Sequence, residues 1–179
     1  FLYRAAAEAL TAVANSRKGL ITENTVSVLE AALNKEKLNT VIVEAVAGTL
    51  AAIAYTQKEL ITKNTVSLLE SILGREKLDS RDYAAVTEAL ITVVYSRPEL
   101  ISENTVFALE DAFNRARADY LTHKAVTRAL AAIAIKAEPT LAQRAVTALE
   151  SISGRKELDS SACVAVAEAL DAVAKQTKL

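Results

Sequence analysis

An internal repeat constrains this chain more than any other feature. The segments ITENTVSVLE from Ile21, ITKNTVSLLE from Ile61, ISENTVFALE from Ile101 and LAQRAVTALE from Leu141 follow one another at forty-residue intervals without insertion. A second element recurs between them: AEAL at Ala7, AGTL at Ala47, TEAL at Thr87, TRAL at Thr127 and AEAL at Ala167. Each period therefore holds two units. A unit this short cannot bury an apolar face alone, so neighbouring copies must stack, each resting chiefly on the copies before and after it.

Both units carry helical periodicity. In the first, Val26, Leu29 and Leu33 share a face, as do Val66, Leu69 and Leu73, then Val106, Leu109 and Phe113, then Val146, Leu149 and Ile152. In the second, Ala45, Val46, Thr49, Leu50 and Ile53 form an inward arc matched by Ala85, Val86, Ala89, Leu90 and Val93. Alanine is frequent on that arc because helices that approach closely need small contact residues. With 4 Gly and 2 Pro there is little to interrupt helix, and 51% hydrophobic residues suffice for a continuous core.

The punctuation between units fits the same reading. Thr22, Thr62 and Ser102 stand where a side-chain oxygen would cap the first helix, and Asn39, Asp79, Asp119 and Asp159 where one would cap the second. Asn34, Gly74, Asn114 and Gly154 are the residue types that best tolerate a left-handed helix end. The bases that follow them, Lys35, Arg75, Arg115 and Arg155, would favour the negative end of the helix just completed. Pro98 and Pro139 are expected in connections between repeats, where no amide donor is needed.

Segments such as VAVAEALDAVA from Val164 and ALNKEKLNTVIVEAVAGTLAAIA from Ala32 resemble the turn and second helix of HEAT repeats, and the likeness extends over nearly the whole chain. HEAT repeats usually carry an Arg near the start of the second helix that pairs with neighbouring Asp residues. The matching positions here hold Tyr3, Val43, Tyr83, His123 and Cys163, so this sequence departs from that ladder. The resemblance to the HEAT and armadillo superfamily implies that second helices line a concave surface and first helices a convex one, and that the function is protein binding. HEAT-like enzymes that act on nucleic acid or attach pigments form a minority alternative. The expected fold is all-α, a right-handed α-solenoid of two-helix repeats with a forty-residue period. Residues 1–179 are expected to form a single domain of four full periods plus an extra terminal helix, and the apolar start and absence of Met suggest a part of a longer chain.

Charge narrows the function classes. Lys and Arg number 21 against 22 Asp and Glu, a formal net charge of −1, which gives no general attraction for a phosphate backbone or an anionic membrane. A protein or peptide partner is expected, not nucleic acid and not a membrane. Cys163 is the only cysteine and forms no intrachain disulfide, compatible with a reducing compartment, the cytoplasm by default. His123 is the lone histidine, and no nucleophile is tied to it by a recognisable motif. His123 and Cys163 occupy equivalent places in adjacent repeats, but two ligands are too few for zinc. No catalytic residue, cofactor or metal is expected.

A docking surface is sought on the second helices, at the positions equivalent to 44, 48, 51 and 55. The outer copies are polar there and the middle ones are not. Tyr55, Ile91, Tyr95, Ala131 and Ile135 form a candidate exposed apolar strip, bordered by Lys124 and Arg128, across which an extended peptide or helix would lie. The competing reading is that neighbouring helices close over these side chains and make them core. Glu30, Glu70, Glu110 and Glu150 recur in register and read as a solvated helix flank with salt-bridge partners, and Asn24, Asn64 and Asn104 as a solvent-facing row. A structural segment whose apolar ends join further repeats or another copy, with no ligand of its own, is the alternative to a binding module.

Overall fold

The computed structural model describes residues 2–17, 19–34, 40–75, 78–115, 119–155, 158 and 160–176, and among these the chain is all-α. The helices are α1 (Leu2–Ser16), α2 (Glu23–Leu33), α3 (Thr40–Thr56), α4 (Lys63–Leu73), α5 (Ser80–Ser96), α6 (Glu103–Arg115), α7 (Tyr120–Lys136), α8 (Pro139–Ser153) and α9 (Ser160–Gln176). Short 3-10 turns at Lys58–Leu60 and Pro98–Leu100 join α3 to α4 and α5 to α6. None of the described helices is long and apolar enough to cross a membrane.

Packing follows the two kinds of unit. Helices α1, α3, α5, α7 and α9 each lie against the next in one file, while α2, α4, α6 and α8 form a second file beside it. The apolar stripes meet between the files. Leu33, Leu69, Leu73, Leu109 and Leu149 from the second file, with Leu50, Ile53, Leu90, Leu130 and Ile133 from the first, are fully buried in one apolar cluster that runs from Ala14 to Val173. Each such side chain removed from water contributes roughly 1.5–3 kcal/mol. Buried alanines on the long helices, among them Ala47, Ala54, Ala89, Ala129 and Ala132, keep neighbouring helices of that file close.

Helix starts follow the sequence in part, since among the described residues no amide donates to the Thr22 side chain ahead of α2 within hydrogen-bond distance. Asp79 caps α5 by accepting from the Arg81 and Asp82 amides, and Asp119 caps α7 by accepting from Thr122. Thr62 accepts from the Thr65 amide at the start of α4. Asn39 and Asp159 lie outside the described residues, as does Lys35. Helix ends differ from expectation. Asn34, Gly74 and Gly154 have φ of −81°, −75° and −75°, and Asn114 is still within α6, so none of them is left-handed. The last turn tightens instead, with the Gly74 amide donating to Glu70 O and the Arg75 amide to Ile72 O. The left-handed glycine is Gly19, at φ 99°, in the connection ahead of α2. Pro139 is not in a connection either. It opens α8, where its missing amide costs nothing, behind Glu138, whose carboxylate accepts from the Leu141 and Thr140 amides.

That early start of α8 explains a break in the repeat. At α4 and α6 a buried threonine near the helix start serves two neighbours. The Thr65 hydroxyl accepts from the Thr62 amide and donates to Glu30 of the preceding copy at 2.5 Å, and Thr105 likewise accepts from Ser102 and donates to Glu70 at 2.5 Å. In α8 the cap has moved to Glu138, so no threonine is needed at the next equivalent position, which is Ala145. Glu110 then lacks its hydroxyl donor. Arg144, one residue earlier, replaces it with a half-buried ion pair and lays its guanidinium 4.8 Å from the Phe107 ring. Asn64 adds a bond to Glu30 at 2.7 Å. Glu30, Glu70 and Glu110 are therefore joints between successive helices of the second file instead of a solvated flank, although Glu110 has the expected salt-bridge partner and Glu150 is exposed as expected.

Further columns of bonds tie each copy to the one before. Arg75 donates to Leu33 O, Arg115 to Gly74 O and Arg155 to Asn114 Oδ1. These bases thus reach the carboxyl end of the preceding copy's helix, a full period back, where the field favours a cation as strongly as at their own. Gln57 accepts from the Gly19 amide, and Arg97 donates to Lys58 O and Ile61 O. Thr40 bridges to Asp79 and Asp82 on the following long helix.

Candidate partner-binding surface

On each long helix the residues facing away from the second file form a stripe, and the stripes of α3, α5, α7 and α9 adjoin because these helices pack in succession. Six of the seven residues singled out in the sequence come together here. Ile91 and Tyr95 of α5, and Lys124, Arg128, Ala131 and Ile135 of α7, line one pocket of about 190 Å³ with α9 as its third wall. Tyr55 of α3 is not part of it. That side chain is 80% exposed on the neighbouring stripe.

The apolar strip is not exposed along its length. Ile91 and Ala131 are buried, at 7% and 6% exposure, and Ile135 is half-buried, whereas Tyr95 is 56% exposed. Successive long helices pack closely, α5 on α7 and α7 on α9, and Ala165, Ala169 and Ala172 line the pocket from α9 at helical spacing. Ile91 and Ala131 form the pocket floor, and the tyrosines and charged residues remain at the surface. Thr127, Ala132, Ala165, Glu168, Ala169 and Ala172 complete the lining, and of these only Glu168, at the position equivalent to 48, stood on the face where a docking surface was sought. Glu168 had a legible signal, since it lies forty residues after Arg128. The alanines of α9 had a helical stripe but no large side chain within it to mark it.

The rim is charged in a definite pattern. Arg128 pairs with Glu88, its equivalent on α5. Lys124 sits with its ammonium 5.6 Å from the centre of the Tyr120 ring, and Lys136 with its own 5.6 Å from the Tyr95 ring. Among the described residues no carboxylate pairs with either lysine. Glu168 is exposed on the α9 side.

No protein-family model matches the chain, and no curated protein or solved structure is significantly similar to it. What the surface can do must come from its own geometry.

A volume of about 190 Å³ is below the range of roughly 300–1,000 Å³ usual for small-molecule sites. It is close to the size of a cavity of about 150 Å³ that takes up a single benzene ring. The pocket suits one large aliphatic or aromatic side chain, with Tyr95 as a wall that offers area at little entropic cost.

The other singled-out residues lie elsewhere. His123 is buried against Phe113, with ring centres 4.1 Å apart, and its Nδ1 has no hydrogen-bond partner. Cys163 is exposed. Asp82 was overlooked: it is 3% exposed, one carboxylate oxygen accepts from Thr40 and the Asp79 amide, and the other has no partner. Burial pushes its carboxyl above the ordinary carboxylate range, opposed by the Asp79 amide and aided by the negative charge of Asp79.

Proposed function

We propose that this chain is a right-handed α-solenoid with a two-helix, forty-residue period, akin to HEAT and armadillo repeats, and a non-catalytic module that binds a protein or peptide. The binding face is the one carried by the long helices, concave in such a solenoid. The observation that carries this reading is the pocket between α5, α7 and α9, sized for one side chain, with Tyr95 and Ile135 beside a floor of Ile91 and Ala131. An apolar anchor in a desolvated pocket ringed by polar side chains is the arrangement that concentrates binding energy at protein interfaces.

Ala172 lines the pocket from α9 yet is exposed, so Ala172→Trp should fill the pocket without entering the core. The test is selection of a random-peptide library displayed on phage against the native chain and this variant, with circular dichroism to verify that the variant is folded. The native chain should enrich peptides sharing an apolar position, and the variant should bind them at least about tenfold more weakly, the scale of one lost interface anchor. Peptides that bind both forms equally would remove the pocket from the function.

A further inference from the structure

We infer that the occupant of this pocket is an extended peptide segment with an apolar anchor flanked on both sides by carboxylates. The inference rests on the pocket being a peptide site, as proposed above. Its basis is the state of the two lysines on α7. Lys124 lines the pocket and Lys136 covers Tyr95, itself a pocket residue. Both lysines are exposed, and both rest on tyrosine rings instead of carboxylates. Arg128, between them along the helix, already has Glu88.

A cation over an exposed aromatic ring is held by only about 0.5–1 kcal/mol. An ammonium so held is kept in place at the rim and remains available to a stronger acceptor. The rings do not compete with an incoming carboxylate, because one ammonium can lie over a ring face and donate to an oxygen at the same time. Chain order then sets the spacing. Lys124 and Lys136 are twelve residues apart on one helix, about 18 Å along its axis at 1.5 Å per residue. An extended peptide advances about 3.4 Å per residue, so the same distance separates side chains about five positions apart. The apolar anchor enters the pocket between them. Glu168 faces this groove from α9 and would repel a carboxylate placed on that wall, which keeps the acidic flanks on the α7 side.

The test uses a peptide library with a fixed central Leu and randomised flanks, screened at low salt against the native chain. It is screened in parallel against Lys124→Glu/Lys136→Glu and against Lys124→Met/Lys136→Met, which keeps the apolar stems. The native chain should enrich Asp and Glu on both sides of the Leu, about five positions apart. The Glu variant should enrich Lys and Arg there, and the Met variant neither. Individual acidic peptides should lose roughly threefold in affinity per lysine replaced, as exposed ion pairs do, and less at high salt. Leu-dependent binding with no charge preference, or with basic flanks preferred by the native chain, overturns this inference and leaves the pocket reading standing. Binding that survives replacement of the Leu by Gly, or no enrichment at all, overturns the pocket reading itself.

Discussion

Thr105→Val removes a hydroxyl and leaves the side chain's volume nearly unchanged. That hydroxyl is wholly buried, accepts from the Ser102 amide at 3.2 Å and donates to Glu70 at 2.5 Å. Loss of the acceptor at a helix start costs about 1 kcal/mol. Loss of a hydrogen bond to a half-buried carboxylate adds about 1.5 kcal/mol. The total is therefore about 2–3 kcal/mol. Thr25 is the internal control, because its hydroxyl accepts from the Thr22 amide at 3.3 Å and contacts the Thr22 hydroxyl but reaches no carboxylate. Thr25→Val should cost only the first increment, about 1 kcal/mol.

The two substitutions also differ in pH dependence. Burial holds the Glu70 carboxyl above the ordinary carboxylate range, and the Thr105 hydroxyl is the group that opposes the rise. A carboxyl raised on folding contributes stability that is fully present below its unfolded pKa and lost as pH rises through the folded value. Removing Thr105 raises that folded value further, so its penalty should be largest near neutrality and shrink as pH falls through the carboxylate range. Urea unfolding followed by far-UV circular dichroism, at pH 7 and at about pH 4, reads both effects. Equal penalties for the two variants, or a Thr105→Val penalty that does not change with pH, would show that the threonine and glutamate do not join the repeats.

Three further outcomes follow from the structure. Gly48 lies exposed in the middle of α3, and a β-carbon there would meet nothing within 4 Å, so Gly48→Ala should raise stability in urea by about 0.5–1 kcal/mol. A loss would mean that the glycine's backbone freedom is used. Asp82→Asn should stabilise the protein at neutral pH, because it removes a buried carboxyl of raised pKa while retaining an oxygen for the Asp79 amide. The gain should vanish as pH falls below the carboxylate range, and a loss at neutral pH would count against the burial account. Tyr55→Ser and Tyr95→Ser should change stability by less than about 0.5 kcal/mol, and Ile91→Ser should cost about 3 kcal/mol. Thermal melts in which Ile91→Ser costs no more than the two tyrosine variants would return the strip to an exposed ridge.

Much of the helix pattern could be read from the chain because it is local. A 3.6-residue period places Leu29, Leu33, Leu50 and Ile53 on inward faces whatever those faces meet, and all four are buried. Asp79 and Asp119 cap because the amides they satisfy lie two and three residues ahead. The candidate site was legible only in part: six of the seven chosen residues share a pocket, but Ile91 and Ala131 form its floor instead of an exposed ridge. Their exposure depends on how closely successive long helices pack, and that is a property of helices in contact, not of any one alone.

The sequence by itself determined the helices, the caps at Thr62, Asp79 and Asp119 and the inward faces, since these depend on atoms a few residues apart. Only the tertiary structure decided that Glu30 and Glu70 bind threonines a period away, that Arg75 and Arg115 cap a neighbour's helix end, and that two lysines stand on tyrosine rings beside a side-chain-sized pocket. Those pairings arise where stacked copies touch, and a side chain finds its partner there according to how close the helices lie.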